Sequence, residues 1–458
     1  MAKIETVRID SIAPAPYNPR KISDSQIKVL QESIQAVGFA VPIIINRKNR
    51  IIIAGHQRTK SAKALGYETV PALFVDDIVK GDEIKFNQMH NGVEEKTFGA
   101  VVLRGDHAKE TFLQIDPSNF EILSKDISMQ CVKEICKLML KYGNVMSSVV
   151  CRGAVVFATE YVYACKKLSI PVNCYICDDS KYDAILHYFV QNYGEYTYDG
   201  IEKKTYVQGL AQMHRTVGDT GGKKGNKSQL YETMVLPYLQ KHEARSILDF
   251  GCGKGAYIDY LKSGYDALGM EFYNNNGKAI NVKKGHNMID ALIAHVKRDP
   301  LFDIVVCDSV LNSVDSKEAE ESVMACLNLF CRHKLFISGR TAKSCDRRNL
   351  RSASDNQNYI YFTDDDGLSG TYREGQWYFQ KFHSKEQAYD LLARYGFVVE
   401  KYTDNATSFQ MECRKVRNLT EEQYIKGVTF EFNLPLPKGQ RYNRHNEMLQ
   451  ALGLEKAE

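Results

Sequence analysis

The sequence lacks any run of about 18 apolar residues, the length that crosses a membrane. It also lacks an excess of one charge and the cysteine pattern of a disulfide framework. The first absence argues against a membrane partner. Met1-Ala2-Lys3-Ile4-Glu5 reads as neither a signal peptide nor a transit sequence, so a cytoplasmic protein is expected. The 60 basic and 56 acidic side chains leave a net charge of only +4, so attraction to phosphate has to come from local clusters. Lys223, Lys224 and Lys227 form one, and Arg347, Arg348 and Arg351 another, with solvated loops as the competing explanation. The 12 cysteines are scattered, several inside apolar runs such as Val305-Val306-Cys307, which suits reduced core thiols. Cys174 and Cys177 form a lone C-x-x-C with no second pair and no histidine at finger spacing, so no metal site is expected.

What is present is a chain of 458 residues, 44% hydrophobic and 25% charged, an ordinary globular composition long enough for two or three domains. Between Ile4 and Asp77, strand-like stretches at Thr6–Ile9, Pro42–Asn46, Ile51–Ala54 and Val70–Val75 alternate with helical ones near Asp24–Val37 and Gln57–Leu65. A second stretch reads as a worn copy: Ala154-Val155-Val156-Phe157, a helix, Leu168, then Ile170-Pro171 and a strand, matching Ile51 to Ala54, a helix, Leu65, then Val70-Pro71 and a strand. The apolar pattern repeats and the polar turn does not, because Ala158-Thr159-Glu160-Tyr161 stands where the first copy has Gly55-His56-Gln57-Arg58. The Gly- and Lys-rich stretch Gly218 to Lys227 has too little apolar surface to fold and reads as a linker or mobile loop. Beyond it, strands at Ser246–Phe250, Ala267–Phe272, Asp303–Asp308, Lys334–Ser338, Val398–Tyr402 and Ser408–Arg414 alternate with helices, as in a largely parallel sheet. The expected layout is therefore α/β throughout: residues 1–95, a possible degenerate repeat at 96–215, a linker at 216–228, a doubly wound domain at 229–417 and a C-terminal extension at 418–458.

Ile247-Leu248-Asp249-Phe250-Gly251-Cys252-Gly253-Lys254-Gly255 is an apolar strand running into three alternate glycines. Such glycines permit a tight turn and close approach of a ligand to the backbone. Asp249 lies at the strand end, and Glu271 closes the next strand about 20 residues on, where a carboxylate can accept both ribose hydroxyls of an adenosine ligand. The D-F-G-C-G-K-G string closely resembles the first motif of class I S-adenosylmethionine-dependent methyltransferases, with dinucleotide binding as the competing reading. The resemblance implies a Rossmann-like domain in which Asp249, Gly251, Gly253 and Glu271 hold the cofactor, the glycines under its methionine part and Asp249 at its ammonium. At the end of the strand Asp303–Asp308, the polar groups best placed near the transferred methyl are Asp308, Ser309 and Asn312. No Asn/Asp-Pro-Pro-aromatic or Pro-Cys string stands there, so neither the usual adenine-N6 nor the cytosine-C5 frame is present; Cys307 reads as a buried core thiol. The segment from Ser338 to Trp377 offers an insertion in which the three arginines would meet phosphate and Tyr359, Tyr361 or Trp377 would stack a base, with packing of the loop as the plainer use. The helix expected between the second and third strands looks shortened at Tyr273–Lys278.

Asn18-Pro19-Arg20-Lys21, Val41-Pro42-Ile43-Ile44-Ile45 and Ala54-Gly55-His56-Gln57-Arg58 together resemble the nucleotide-binding domain shared by ParB-type partition proteins and sulfiredoxin. A glycine at a strand-to-helix junction followed by His and Arg makes an anion cradle from backbone N–H groups, the helix dipole and a guanidinium. The resemblance nominates Gly55, His56, Gln57 and Arg58, supported by Arg20, for the phosphates of CTP or ATP. His56 and Gln57 replace the acidic and basic residues usual in partition proteins, which argues against metal-assisted hydrolysis; the missing cysteine argues against sulfinic-acid repair. The combination implies a methyltransferase acting on nucleic acid, DNA first, with the N-terminal domain binding nucleotide or DNA to position or gate the substrate. The alternatives are a nucleotide-switched DNA-binding protein with a non-catalytic methyltransferase fold, and methylation of RNA or a small molecule. No helix-turn-helix is evident to read a site.

Overall fold

A computed structural model describes residues 4–90, 99–124, 127–193, 195–210, 215–217, 226–345 and 362–454. The chain divides into two compact units, one of residues 1–201 with 345–365 and 372–375, the other of residues 202–344 with 366–371 and 376–458.

The first unit opens with β1 (Glu5–Arg8), α1 (Asp24–Val37), β2 (Ile43–Asn46), β3 (Ile51–Ala54), α2 (His56–Ala64), β4 (Thr69–Val75) and α3 (Lys80–His90). A second series follows: β5 (Thr111–Ile115), α4 (Met129–Tyr142), β6 (Ser148–Cys151), β7 (Ala154–Phe157), α5 (Thr159–Leu168), β8 (Val172–Ile176) and α6 (Tyr182–Tyr193). Both series pair alike. In the first, β1 is antiparallel to β4, β4 parallel to β2, and β2 antiparallel to β3. In the second, β5 is antiparallel to β8, β8 parallel to β6, and β6 antiparallel to β7. Each series turns from a strand into a helix through a left-handed residue, β3 into α2 through Gly55 and β7 into α5 through Ala158.

Helix α1 starts on a reciprocal cap between Ser23 and Gln26 and buries Ile27, Leu30, Ile34 and Val37, a stripe at helical spacing. That stripe packs against α6 of the second series, while α3 of the first series packs against α4 of the second. Lys85 Nζ lies 3.0 Å from Glu134 Oε2, and the Tyr142 hydroxyl donates to Asp82 Oδ2 at 2.6 Å. The last helix of each series thus lies on the other, and one apolar core containing Leu30, Ile34, Phe86, Phe157 and Phe189 runs through both.

The second unit contains α7 (Thr205–Leu210), β9 (Ser246–Phe250), α8 (Ala256–Leu261), β10 (Asp266–Met270), α9 (Val282–Val296), β11 (Phe302–Asp308), α10 (Lys317–Phe330) and β12 (Cys331–Thr341). It continues with β13 (Gln376–His383), α11 (Lys385–Arg394), β14 (Phe397–Asp404), β15 (Ser408–Lys415), α12 (Glu421–Glu431) and α13 (His445–Leu452). Strands β10, β9, β11 and β12 lie side by side in that order, all parallel. β15 runs antiparallel beside β12, with β14 antiparallel beyond it. This is the Rossmann-like sheet that the methyltransferase resemblance implied, ending in a reversed C-terminal hairpin. The order changes direction between β9 and β11, so their C-terminal ends flank the crevice where ligands of such sheets sit.

One feature corrects the expectation for the stretch after β10. Tyr273–Lys278 is no shortened helix but an irregular loop, and the full helix is α9, from Val282. The asparagines explain it by binding nearby backbone: Asn275 Oδ1 accepts from Gly277 N–H, Asn276 Oδ1 from Lys278 N–H, and Asn281 caps α9 at Lys284 N–H. Residues after 417 belong to the same core as the sheet, with Tyr424, Val428, Phe432 and Met448 clustered with Leu248, Val305 and Leu335. The Tyr442 hydroxyl donates to the Phe272 carbonyl and the Tyr273 hydroxyl to Pro435 O at 3.0 Å, so the extension covers the flank beside β10.

Among the described residues no helix is long and apolar enough to cross a membrane.

Candidate functional site

At the first-unit turn, Gly55 has φ +102°, and a β-carbon there would lie 2.6 Å from Ile43 Cγ2 and 3.0 Å from Arg58 Nη2. Only glycine meets both conditions. The His56 ring accepts the Ala15 N–H at Nε2, 3.0 Å away; burial, then the neighbouring Arg58 charge, pushes its pKa down to about 3, so it stays neutral. Gln57 Nε2 donates to Arg20 O at 3.2 Å, and the Arg20 guanidinium lies 3.3 Å above the Tyr196 ring, where Arg20–Lys21 pairs with Glu195–Tyr196. Gly55, His56, Gln57 and Arg20 therefore come together. Arg58 takes a different position from the one a shared anion point implies: it is wholly buried beneath the turn, donating to the carbonyls of Val41 and Pro42. A residue that sequence reasoning missed is Glu83, buried on α3, which accepts from the Tyr17 hydroxyl at 2.6 Å and from Asn46 Nδ2. Its partners are 66 and 37 residues away, beyond any local pattern.

In the second unit the glycine turn follows β9. Gly251 has φ +93°, and a β-carbon there would lie 2.1 Å from Val310 Cγ2, so the loop after β11 sits directly on the turn. Asp249 is only 4% exposed; its Oδ2 accepts from the Tyr231 hydroxyl at 2.8 Å, and its Oδ1 is buried with no hydrogen-bond partner among the described residues. Burial raises its pKa to about 7, with Tyr231 opposing and the charges of Asp308 and Glu271 adding to the rise. Glu271 stands one residue past β10, with Oε2 accepting Gly253 N–H at 3.0 Å and Oε1 accepting Tyr273 N–H at 2.8 Å. It is thus turned toward the glycine turn and braces it.

Across the crevice, Asp308 ends β11. Its Oδ1 accepts from Ser338 Oγ at 2.6 Å and Ser309 Oγ at 3.1 Å, and its Oδ2 lies 3.3 Å from Arg215 Nε. Ser309 holds φ +66°, a left-handed conformation costly for a side chain and the kind of outlier that clusters at ligand sites. Asn312 follows in the short Leu311–Ser313 turn, its Oδ1 buried and without a partner among the described residues. Cys307 is buried in the strand, its thiol pushed well up by desolvation. The structure brings Asp249, Gly251, Gly253, Glu271, Asp308, Ser309 and Asn312 to one end of the sheet.

Two further residues were not legible. Arg215 ties Asn226 Oδ1, at 3.2 Å, and Ser309 Oγ, at 3.3 Å, to the Asp308 carboxylate. Tyr231 lies in a single π-helical turn, Tyr231–Val235, a distortion frequent at functional sites. Lys223, Lys224, Arg347, Arg348, Arg351, Tyr359 and Tyr361 fall outside the described residues. Trp377 lies on β13 with its ring 6.3 Å from Phe379. Cys174 and Cys177 are both buried.

A model of the ParB N-terminal domain matches residues 1–90. Over 86 residues the chain is 40% identical to a probable chromosome-partitioning protein ParB of Campylobacter jejuni, covering 18% of this chain and 30% of that one. It is 37% identical over 73 residues to stage 0 sporulation protein J of Bacillus subtilis, covering 15% and 26%. The ParB-like nuclease domain-containing protein YnaK of Escherichia coli is 33% identical over 70 residues, 15% of this chain and 79% of that protein. The chain thus spans less than a third of the first two relatives. Similar solved structures include a putative S-adenosylmethionine-dependent methyltransferase from Listeria monocytogenes, 10% identical with a TM-score of 0.28, covering 38% of this chain and 92% of that one. Magnesium protoporphyrin IX methyltransferase from Synechocystis is 13% identical with a TM-score of 0.25, covering 41% and 78%.

Proposed function

Since the chain belongs, through residues 1–90, to the ParB N-terminal domain family, we propose that it is an S-adenosylmethionine-dependent methyltransferase acting on DNA, with an N-terminal unit that binds nucleotide or DNA and positions or gates the substrate. Relatives named for chromosome partitioning and nucleoid occlusion support DNA as the partner. The neutral His56, the α2 N-terminus and Arg20 supply the polar lining for a CTP or ATP phosphate, with Arg58 as the prop that holds the turn.

One observation carries the methyltransferase reading: Asp249 Oδ1, a carboxylate oxygen buried without a hydrogen-bond partner among the described residues, close in sequence to Gly251, where a β-carbon would meet Val310. A buried acceptor left bare costs about 1–3 kcal/mol, and a cationic ammonium in that place removes the cost. Gly251 and Gly253 give the ligand backbone access, and Glu271, turned toward the same glycine turn, is the acid that meets the ribose hydroxyls. S-adenosylmethionine supplies, when bound, a methyl group on a sulfonium. This chain's part is to hold its ammonium at Asp249 and to orient the acceptor with Asp308, Ser309 and Asn312.

The test is a calorimetric titration with S-adenosylmethionine beside incorporation of labelled methyl into duplex DNA, single-stranded DNA and RNA, with and without CTP or ATP, for the wild type and Asp249→Ala. Label in DNA that disappears in the variant is the expected result, and a nucleotide dependence assigns the gating role to the first unit. Cofactor binding with no label in any polymer would overturn the nucleic-acid reading and leave a sensor or a small-molecule enzyme.

A further inference from the structure

Two stretches of the second unit carry no acidic residue, although the chain as a whole is almost balanced in charge. Residues 272–289 contain Lys278, Lys283 and Lys284 with no Asp or Glu, and residues 432–446 contain Lys438, Arg441 and Arg444 with none either. The fold knits the two stretches together on the flank beside β10. The Tyr442 hydroxyl donates to the Phe272 carbonyl, the Tyr273 hydroxyl donates to Pro435 O at 3.0 Å, and Arg444 Nη1 lies 3.4 Å from His286 Nδ1. The same flank borders the glycine turn, because Asn274 Nδ2 donates to Gly253 O at 2.8 Å and the Asn274 carbonyl accepts from Asn281 N–H at 2.6 Å. Arg444 is held by Asp290, 2.6 Å away, and by Glu447. Lys278, Lys283, Lys284, Lys438 and Arg441 are exposed, and none of the five is in an ion pair among the described residues.

These charges stand against the local physics. Lys283 and Lys284 occupy the first turn of α9, where the helix dipole favours anions and disfavours cations. By contrast α8, α10, α11, α12 and α13 each place an acid in their first turn. The neutral side chains follow the same bias. Asn276 Oδ1 accepts the N–H groups of Lys278 and Ala279, and Asn281 Oδ1 accepts that of Lys284, roles that an aspartate fills equally well. Acid is thus missing where the fold would favour it, and an anion from outside is what balances the surface. We propose that this flank holds the phosphodiester backbone of a nucleic acid. The inference rests on nucleic acid as the substrate and adds the surface that carries it past the glycine turn. A small anion is bound by a few converging groups in a concave pocket, whereas these five cations are exposed and spread over two segments, as a chain of phosphates requires. Neither stretch exposes a large apolar side chain of the kind that enters a membrane surface beside basic residues. Asn287, Asn443 and Asn446 are exposed among the cations, and asparagine amides join Lys and Arg in contacts to phosphate oxygens.

The experiment measures the affinity of the full chain for labelled duplex DNA, and separately for single-stranded DNA, as a function of salt. Each phosphate contact adds about 0.9 to the slope of log affinity against log salt for a duplex and about 0.7 for a single strand. Replacing Lys283, Lys284 and Lys438 together by Gln is expected to lower the slope by about two to three, and replacing them by Arg to leave it in place. Replacing Lys241 and Lys297 by Gln should change nothing, since both are exposed but precede β9 and β11 and so stand at the other end of the sheet. The Gln variant should melt at or above the wild-type temperature, because the helix dipole no longer faces two cations. A slope that falls by less than about one, an equal fall in the Lys241 and Lys297 control, or a Gln variant that melts below the wild type overturns the assignment. So does binding to vesicles containing phosphatidylserine that the Gln variant loses while its DNA slope stays as in the wild type. A wild type that binds DNA with a slope these lysines do not influence leaves the proposed function standing; a wild type that binds no nucleic acid removes both.

Discussion

Asp249 makes cofactor affinity a function of pH. Its carboxyl is raised to about 7, first by burial and then by the charges of Asp308 and Glu271, and only the ionised form pairs with an ammonium. About half is ionised at pH 7, whereas at pH 5.5, about 1.5 units below the pKa, the ionised fraction is about 3%. The dissociation constant for S-adenosylmethionine should therefore weaken about fifteen-fold from pH 7 to pH 5.5, about 1.6 kcal/mol. An α-amino group keeps its proton over this range, so the change belongs to the protein. Isothermal titration in buffers of different ionisation enthalpy reads both the affinity and the proton released as Asp249 ionises on binding. Asp249→Asn should bind weakly at pH 7 with a flat profile and no proton release. A wild-type affinity unchanged between pH 5.5 and 7, or an Asp249→Asn variant that keeps the slope, would refute the reasoning.

Tyr231→Phe removes a hydrogen bond that stabilises the Asp249 carboxylate; the midpoint of the affinity profile should move to higher pH in the same titrations. Gly251→Ala sets a β-carbon 2.1 Å from Val310 Cγ2 at φ +93° and should cost about 2 kcal/mol or more in denaturant unfolding. Gly253→Ala, with no atom within 4 Å of the added carbon, should cost only the left-handed backbone term of about 1–2 kcal/mol. Glu431 is raised to about 8 by burial and by Asp315 and Glu271. Its raised pKa means that folding favours the protonated form, so the stability associated with it is full below the ordinary carboxylate value of 4.5 and is lost progressively as pH rises from there to about 8. The melting temperature of Glu431→Gln relative to the wild type should therefore climb between about pH 5 and pH 8 and level off above it, and a constant difference would refute the assignment.

The parts of this fold that were legible in the sequence are those written in consecutive residues. Ile247 to Gly255 contains its own strand, its own turn and the reason for both, and Ser23 with Gln26 marks the start of α1 three residues apart. Contacts between distant residues left no such trace. Arg215 meets Ser309 across 94 positions, and Tyr231 meets Asp249 across 18, through a π-turn that no 3.6-residue periodicity announces. The loop after β10 misled because its apolar spacing is poor either way; the asparagines that fold it act through local side-chain bonds and not through burial. For the C-terminal extension no contact was legible, and Tyr424, Val428 and Met448 pack into the core of the second unit.

The exchange of last helices in the first unit determines where this protein can be cut. A fragment ending at residue 90, the whole span that matches the ParB N-terminal domain, would keep α1 but lose α6, and so leave Leu30 and Ile34, both 0% exposed in the intact chain, facing water. It would also strip α4 from the outer side of α3, which would keep only its seat on β3. The two series therefore share one apolar core, and residues 1–90 expressed alone are expected to expose part of it.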